Sequence, residues 1–378
     1  MTHAVENMAF AGQVPWHGLG NSVSNDLSPE DMLKAAGLDW QVVKRPLYHK
    51  MDDGKMQIID GEYSLVRSSD ESVLSLVGSK YKPIQNEQAF EFFQRFVAAG
   101  KMKMETAGSL WNGKYVWGLA RIGKDFKLGA KDEVRGYVLL AQPHIFGKAM
   151  IIMTTAIRVV CWNTMTFAMN SGVAKFAADM DDDGDEEEVG GIFRLSHSTK
   201  FDEAAQELAA DTLGMATKQM GEFQETAEFL ASKRFPADNE EIVHDYFGKV
   251  FKWDPKEAEH KKDGTVRVPP KVQACIQALT HAPGQKLNTA DGTWWGAFNA
   301  VTNIVDHELG RDRQTALKQA WFGGPARAKK RALVHAIDLA KKADDVVKRA
   351  PAPRKKPAAK KTAAEAGVKA DVPETDAA

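Results

Sequence analysis

Trp16-His17-Gly18-Leu19-Gly20 sets an imidazole between an aromatic ring and two glycines, and Asp306-His307-Glu308 sets another between two carboxylates. A general base must face the group it deprotonates and be oriented by a third group. Neither histidine stands beside a Ser or Cys in a nucleophile's context, so each reads first as a hydrogen-bonded packing residue. An enzyme built on this chain would draw its site from scattered residues, with His17, Arg158, Asn163 and His307 as the candidates. His197-Ser198-Thr199 directly precedes a helical run, where its hydroxyls serve more simply as caps.

Other searches for chemistry return negatives. No glycine-rich loop ends in Gly-Lys-Ser/Thr, and no Gly-x-Gly-x-x-Gly follows a strand, which argues against nucleotide-driven reactions. Asp179, Asp181, Asp183 and Gly184 fit positions 1, 3, 5 and 6 of a calcium loop, but Gly190 stands at the twelfth position, where a bidentate Glu belongs. That run is read as a solvated acidic loop. The two cysteines, Cys161 and Cys275, have no Cys or His at metal spacing and are expected to be reduced and buried. No catalytic residue, metal or cofactor is expected, and these negatives lean against an enzyme without closing that alternative.

Residues 109–121 carry the more informative constellation. Tyr115, Trp117, Leu119 and Arg121 alternate with Lys114, Val116, Gly118 and Ala120, so two rings and a guanidinium share one face. Aromatic platforms flanked by cations hold single-stranded nucleic acid without sequence preference. The same alternation also describes a core face under helices, and both readings stay open. If the face is a binding site, its aromatic contacts are Trp111, Tyr115 and Trp117. The surrounding cations are then Lys101, Lys103, Lys114 and Arg121, with Lys124, Lys127 and Arg158 beyond them.

The net charge of −1 conceals two opposed segments. Residues 325–361 hold thirteen Lys/Arg against three Asp/Glu, whereas 179–188 hold eight acids and no base. Arg354, Lys355, Lys356, Lys360 and Lys361 form a generic tether for a polyanion. Residues 1–10 lack a basic region followed by an apolar run, and no later apolar stretch reaches membrane-spanning length. A cytoplasmic protein with no membrane partner is expected.

These residues must be positioned by a recognisable series of elements. Ser28-Pro29-Glu30-Asp31 opens a helix that Gly37 ends. Strands over 55–59 and 62–67 are predicted around a two-residue turn at Asp60-Gly61, with a further strand over 73–77. Asn86 is the predicted cap of a helix over 87–99, with Ala89, Phe92, Phe93 and Phe96 on one face. Asn112-Gly113 is a second turn signal, 134–141 and 149–155 read as inner strands, and 157–169 is ambiguous. One sheet of about five to seven strands follows from this count. Helical periodicity then takes over at 201–233, 239–251, 270–281, 293–309, 313–320 and 326–347. The fold class is α+β, an antiparallel-rich mixed sheet followed by an α-helical region and a disordered basic C-terminal tail. The expected divisions are 1–178 (β-rich), 179–196 (acidic loop), 197–348 (helical) and 349–378 (tail).

Seven segments of the sequence resemble a known family. They are Pro15-Trp16-His17-Gly18-Leu19-Gly20, Glu105-Thr106-Ala107-Gly108-Ser109-Leu110, Val116-Trp117-Gly118-Leu119-Ala120-Arg121 and Ile157-Arg158-Val159-Val160-Cys161-Trp162-Asn163-Thr164, then Asn299-Ala300-Val301-Thr302, Val305-Asp306-His307 and Ala320-Trp321-Phe322-Gly323. In this order they are similar to the phage/plasmid-like family of laterally transferred proteins, a domain of unknown function. The resemblance implies a setting on mobile elements, near replication and recombination genes, and carries over no catalytic residues. The function expected is a nucleic-acid role in recombination or replication, either single-stranded DNA binding or strand annealing, with single-stranded DNA as partner and a homo-oligomer as a further expectation. The alternatives are an enzyme of unknown reaction and a structural or partner-binding protein.

Overall fold

The computed structural model describes residues 5–12, 19–99, 101–159, 163–165, 192–197, 216–259, 264–309 and 323–349, with the single positions 202, 207 and 262. Strands β1 (Val5–Ala11) and β2 (Asn21–Val23) lead into helix α1 (Pro29–Ala35). A three-stranded sheet follows, β3 (Val42–Lys50), β4 (Met56–Arg67) and β5 (Val73–Gly78), in the order β3-β4-β5. Helix α2 (Asn86–Ala98) then returns the chain to the larger sheet. That sheet adds β6 (Lys103–Leu110), β7 (Tyr115–Arg121), β8 (Phe126–Leu128), β9 (Asp132–Pro143), β10 (Met150–Arg158), β11 (Asn163–Met165) and β12 (Ile192–Leu195). Its order is β11-β10-β9-β7-β6-β1-β2, with β12 beside β10 and β8 beside β9.

Antiparallel pairing dominates because consecutive strands connect through short turns, and β1 with β2 is the parallel pair among the described strands. Strands β7, β9 and β10 are buried along nearly their whole length, as strands covered on both faces must be, and β7 and the second half of β9 are apolar runs. One face contributes Val116, Ala120, Val138, Leu140 and Ile152 to a core that also takes in Phe90 and Phe93 of α2. The opposite face gathers Met8, Phe10, Leu110, Tyr115, Trp117, Leu119, Tyr137 and Leu139.

The second half is helical, with α3 (Ala216–Ser232), α4 (Glu240–Phe251), α5 (Pro270–His281), α6 (Trp294–Asn303), a π turn (Ile304–Glu308) and α7 (Gly323–Arg349). Caps act where the residue types allow them: Ser28 accepts from the Asp31 amide, Asn239 from Ile242 and Thr293 from Gly296. The helices share their core with the first sheet face; Phe223 of α3, for example, meets both Phe126 of β8 and Trp295 of α6.

Three predicted features differ. Asp60-Gly61 is not a turn: β4 runs through it, and the register against β3 slips there, from Pro46↔Tyr63 to Leu47↔Ile59. The reversal lies instead at Asp52-Asp53-Gly54, where the Met51 amide donates to the Lys55 carbonyl and Gly54 takes φ +84°. The charged residues and Pro46 in 44–50 mask the strand signal of β3, and with it the turn that follows. Second, in place of one sheet of about five to seven strands there are two among the described residues, of nine and three strands; β2, β8, β11 and β12, at three or four residues each, are too short to register as strand signals, which accounts for the larger count. Third, Asn86 does not cap α2. Gln85 takes the cap position: its backbone amide donates to the Gln88 side chain while its own side chain is bonded to the Val42 backbone, and the Asn86 amide donates to the carbonyls of Leu38 and Trp40. Residues 313–320 and the tail lie outside the described residues.

Candidate functional site

The hairpin at 109–121 forms as expected in outline, with Leu110 opposite Tyr115 and Lys103 opposite Arg121. Its loop is longer than two residues, since Trp111, Asn112 and Gly113 all adopt positive φ. Tyr115 and Trp117 are both buried, and the Trp117 indole nitrogen donates to Thr106 at 3.4 Å. The rings therefore face a core. Trp111, half-buried at the turn, packs edge-on against Tyr115.

The cations around the hairpin are largely matched by acids. Lys103 pairs with Asp26 at 2.8 Å, and Lys127 lies 3.9 Å from Glu133. Arg121 holds Asp125 through two hydrogen bonds, and Arg135 binds Glu133 at 2.6 Å. Behind this row the Tyr137 hydroxyl donates to Glu105 at 2.7 Å, and burial raises the Glu105 carboxyl above its usual range. Lys101 and Lys124 are exposed, and Lys114 is half-buried.

Arg158 is fully buried. Its guanidinium makes a bidentate pair with Asp132, at 2.6 and 2.7 Å, and also donates to the Gly284 carbonyl. Thr289 and the Trp295 indole donate to the same carboxylate, at 2.7 and 3.0 Å. This network joins β9 and β10 to the loop before α6, and it leaves the guanidinium no face for a substrate or a phosphate. Asn163 is the register neighbour of Arg158 across β10 and β11. His307 lies exposed on the π turn, beside the buried Lys329–Asp306 pair (2.7 Å). His17 and the tail residues Arg354, Lys355, Lys356, Lys360 and Lys361 lie outside the described residues. The four candidates for a catalytic pocket thus give one structural ion pair, one strand neighbour and one exposed histidine among the described residues.

Sequence reasoning missed a second buried polar centre, because its members are isolated in the chain. His144 Nε2 lies 2.8 Å from Asn86 Oδ1, with Trp40 edge-on to the ring. Nearby, His197 stacks on Tyr81 at 4.7 Å, and its backbone carbonyl accepts from the Lys82 amide. Burial lowers both imidazoles, His144 to about 3, with a further push from His197, and His197 to about 4, against a small opposing effect of nearby carbonyls. Both are neutral at ordinary pH. Nδ1 of His144, the Tyr81 hydroxyl, the Trp40 indole nitrogen and Oε1 of Gln142 have no hydrogen-bond partner among the described residues. Burial at this level suits a neutral hydrogen-bonding centre rather than an acid catalyst.

Two of the surface clefts lie beside helices. One of about 460 Å³ lies between α5 and the π turn, with His281, Asn303 and Glu308 on its wall. The other, about 570 Å³, separates α1 from α2. Neither is lined by Arg158, Asn163 or His307. Among the described residues no His, Cys, Asp or Glu group is placed to hold a metal ion, and no helix is long and apolar enough to cross a membrane.

The positive charge concentrated in residues 325–361 begins in sequence on α7, where Lys329 is already neutralised by Asp306. Its Ala328, Ala332, Leu333, Ala336 and Ala340 are buried, while Lys341 and Lys342 are exposed. The helix is fixed by the Tyr246 hydroxyl donating to the Ala332 carbonyl and by Arg331 donating to that of Val250. An α+β protein with a double-faced sheet, a helical half and a cationic terminal helix is the class these features define. Residues 73–178 and 184–339 match the family model described as Domain of unknown function (DUF932), and the chain belongs to that family. No curated protein and no solved structure matches it.

Proposed function

We propose that this chain acts in the cytoplasm on behalf of a phage or plasmid element, as a nucleic-acid-binding protein with single-stranded DNA as its ligand in recombination or replication. The observation that carries the reading is α7, an amphipathic helix seated in the core by an alanine-rich face and continuing in sequence into a run of cations that ends at Lys361. Such a segment neutralises phosphates without reading bases, which is all that strand annealing requires. The 109–121 hairpin contributes Lys101, Lys114 and Lys124 as a second set of cations; its buried rings instead hold the sheet together. The resemblance to a mobile-element family supports the biological setting.

The test is a salt titration of labelled single- and double-stranded DNA on the full chain and on a chain ended after Arg349. Every phosphate that the shortened chain no longer neutralises lowers the slope of log affinity against log salt by about 0.7 for single strands, so removal of the tail is expected to lower it by about 1.4 or more. A full chain that binds neither DNA at low salt overturns the proposal. The cut falls after Arg349 because the buried face of α7 must stay in place.

A further inference from the structure

The small sheet does not end where its support ends. Strand β5 accompanies β4 only as far as Glu62↔Gly78, yet β3 and β4 continue together from Leu47↔Ile59 to Lys50↔Met56. Residues 48–62 are exposed throughout. A hairpin in this position is ordinarily covered with charge, since a two-stranded ribbon is marginal in water and an open edge invites pairing. This one carries Tyr48, Met51, Met56, Ile58 and Ile59 in the open, with Met56 61% exposed. Tyr48 and Ile58 are cross-strand partners, so they form one apolar patch on one face; Leu47 and Ile59 form another on the reverse. Both edges of the ribbon are unpaired within the described structure.

We propose that this arm is a homodimer contact, in which the β3 edges of two copies pair antiparallel around a two-fold axis. Charge identifies the occupant. Asp52, Asp53, Asp60 and Glu62 stand against Arg45, Lys50 and Lys55 with His49, so the arm is near balance; a phosphate backbone needs a basic patch. The tip is balanced, with Asp52 and Asp53 beside Lys50 and Lys55 and Lys55 3.0 Å from Asp53, so it offers an anionic bilayer no polybasic segment. A self-contact requires self-complementarity. The antiparallel arrangement carries Asp52, at the tip of one arm, toward Arg45 of the partner subunit at the base of the other, and the present partner of Arg45, Glu71, is 73% exposed and readily exchanged. Pro46, which has no amide hydrogen, stands on the edge strand near that base and limits pairing to the segment beyond it.

Sedimentation velocity of the nuclease-treated full chain, across a concentration series, tests the proposal beside Tyr48→Lys/Ile58→Lys. The wild type is expected to pass from monomer to dimer. The variant, whose substituted side chains are solvent-facing, is expected to keep the wild-type melting temperature and to dimerise at least about tenfold more weakly. Should the variant misfold, Ile58→Thr alone provides the same comparison with a residue suited to strands. A wild type that stays monomeric at its highest soluble concentration, a variant that dimerises equally well, or an assembly that vanishes with nuclease treatment each overturns the assignment.

Discussion

Asp132 and Arg158 show how the location of a charge, rather than its type, fixes its role. Each is fully buried, and the carboxylate accepts from Arg158, Thr289 and Trp295 together. A charge in this environment is tolerated only while its partners remain. Arg158→Met is therefore expected to cost about 3–5 kcal/mol in urea unfolding, because it strands a buried carboxylate. Asp132→Asn added to Arg158→Met is expected to recover part of that loss, a coupling that a double-mutant cycle reads directly. Additive losses would mean that the two side chains do not act as a pair.

At the scale of elements, the close packing of β1, β6 and β7 depends on one missing side chain. A Cβ on Gly108 would lie 2.3 Å from the Trp117 ring and 2.6 Å from the Asn7 carbonyl oxygen. The indole can occupy this face of the sheet only because position 108 is empty beyond Cα. Gly108→Ala is expected to destabilise the protein by about 3 kcal/mol or more, since neither the ring nor the backbone can yield cheaply. Gly78→Ala, in the edge strand β5 with open space around it, is the control and should be close to neutral in the same thermal melts. Equal melting temperatures for the two variants would contradict this packing.

For the whole molecule, the two buried histidines make stability depend on pH. Their folded values, about 3 for His144 and about 4 for His197, lie below the ordinary 6.5. The unfolded chain thus binds protons that the folded chain refuses. Stability is fully present above pH 6.5 and falls as pH drops toward 4, by about tenfold in the unfolding constant per pH unit and per histidine. His335, lowered mainly by its burial, adds in the same direction, whereas Glu105, raised by burial, contributes the opposite sign in the acid range. Urea midpoints measured from pH 7 to pH 4 should decline steeply in the wild type and more gently in His144→Gln. Parallel curves would remove His144 from this role.

Local chemistry was legible along the chain wherever the signal is local. The cap at Ser28, the helices α4 and α5, the inner strands β9 and β10 and the hairpin at 109–121 all follow from side chains that act on their own backbone or from a period of two or 3.6. The α+β class and its antiparallel bias follow from the same signals. Tertiary structure decided what periodicity cannot distinguish. Alternation in β7 is the same whether Tyr115 and Trp117 face DNA or a core, and only the sheet's second apolar face settled it. Asp60-Gly61 has turn residues, but the partner strand β3 required a bulge there instead. Arg158 meets Asp132, Thr289 and Trp295, and His144 meets Asn86, across separations that no local pattern encodes. Sequence determines which residues favour an element or carry charge; burial and long-range partners, set by the packing of the whole chain, determine what those residues can do.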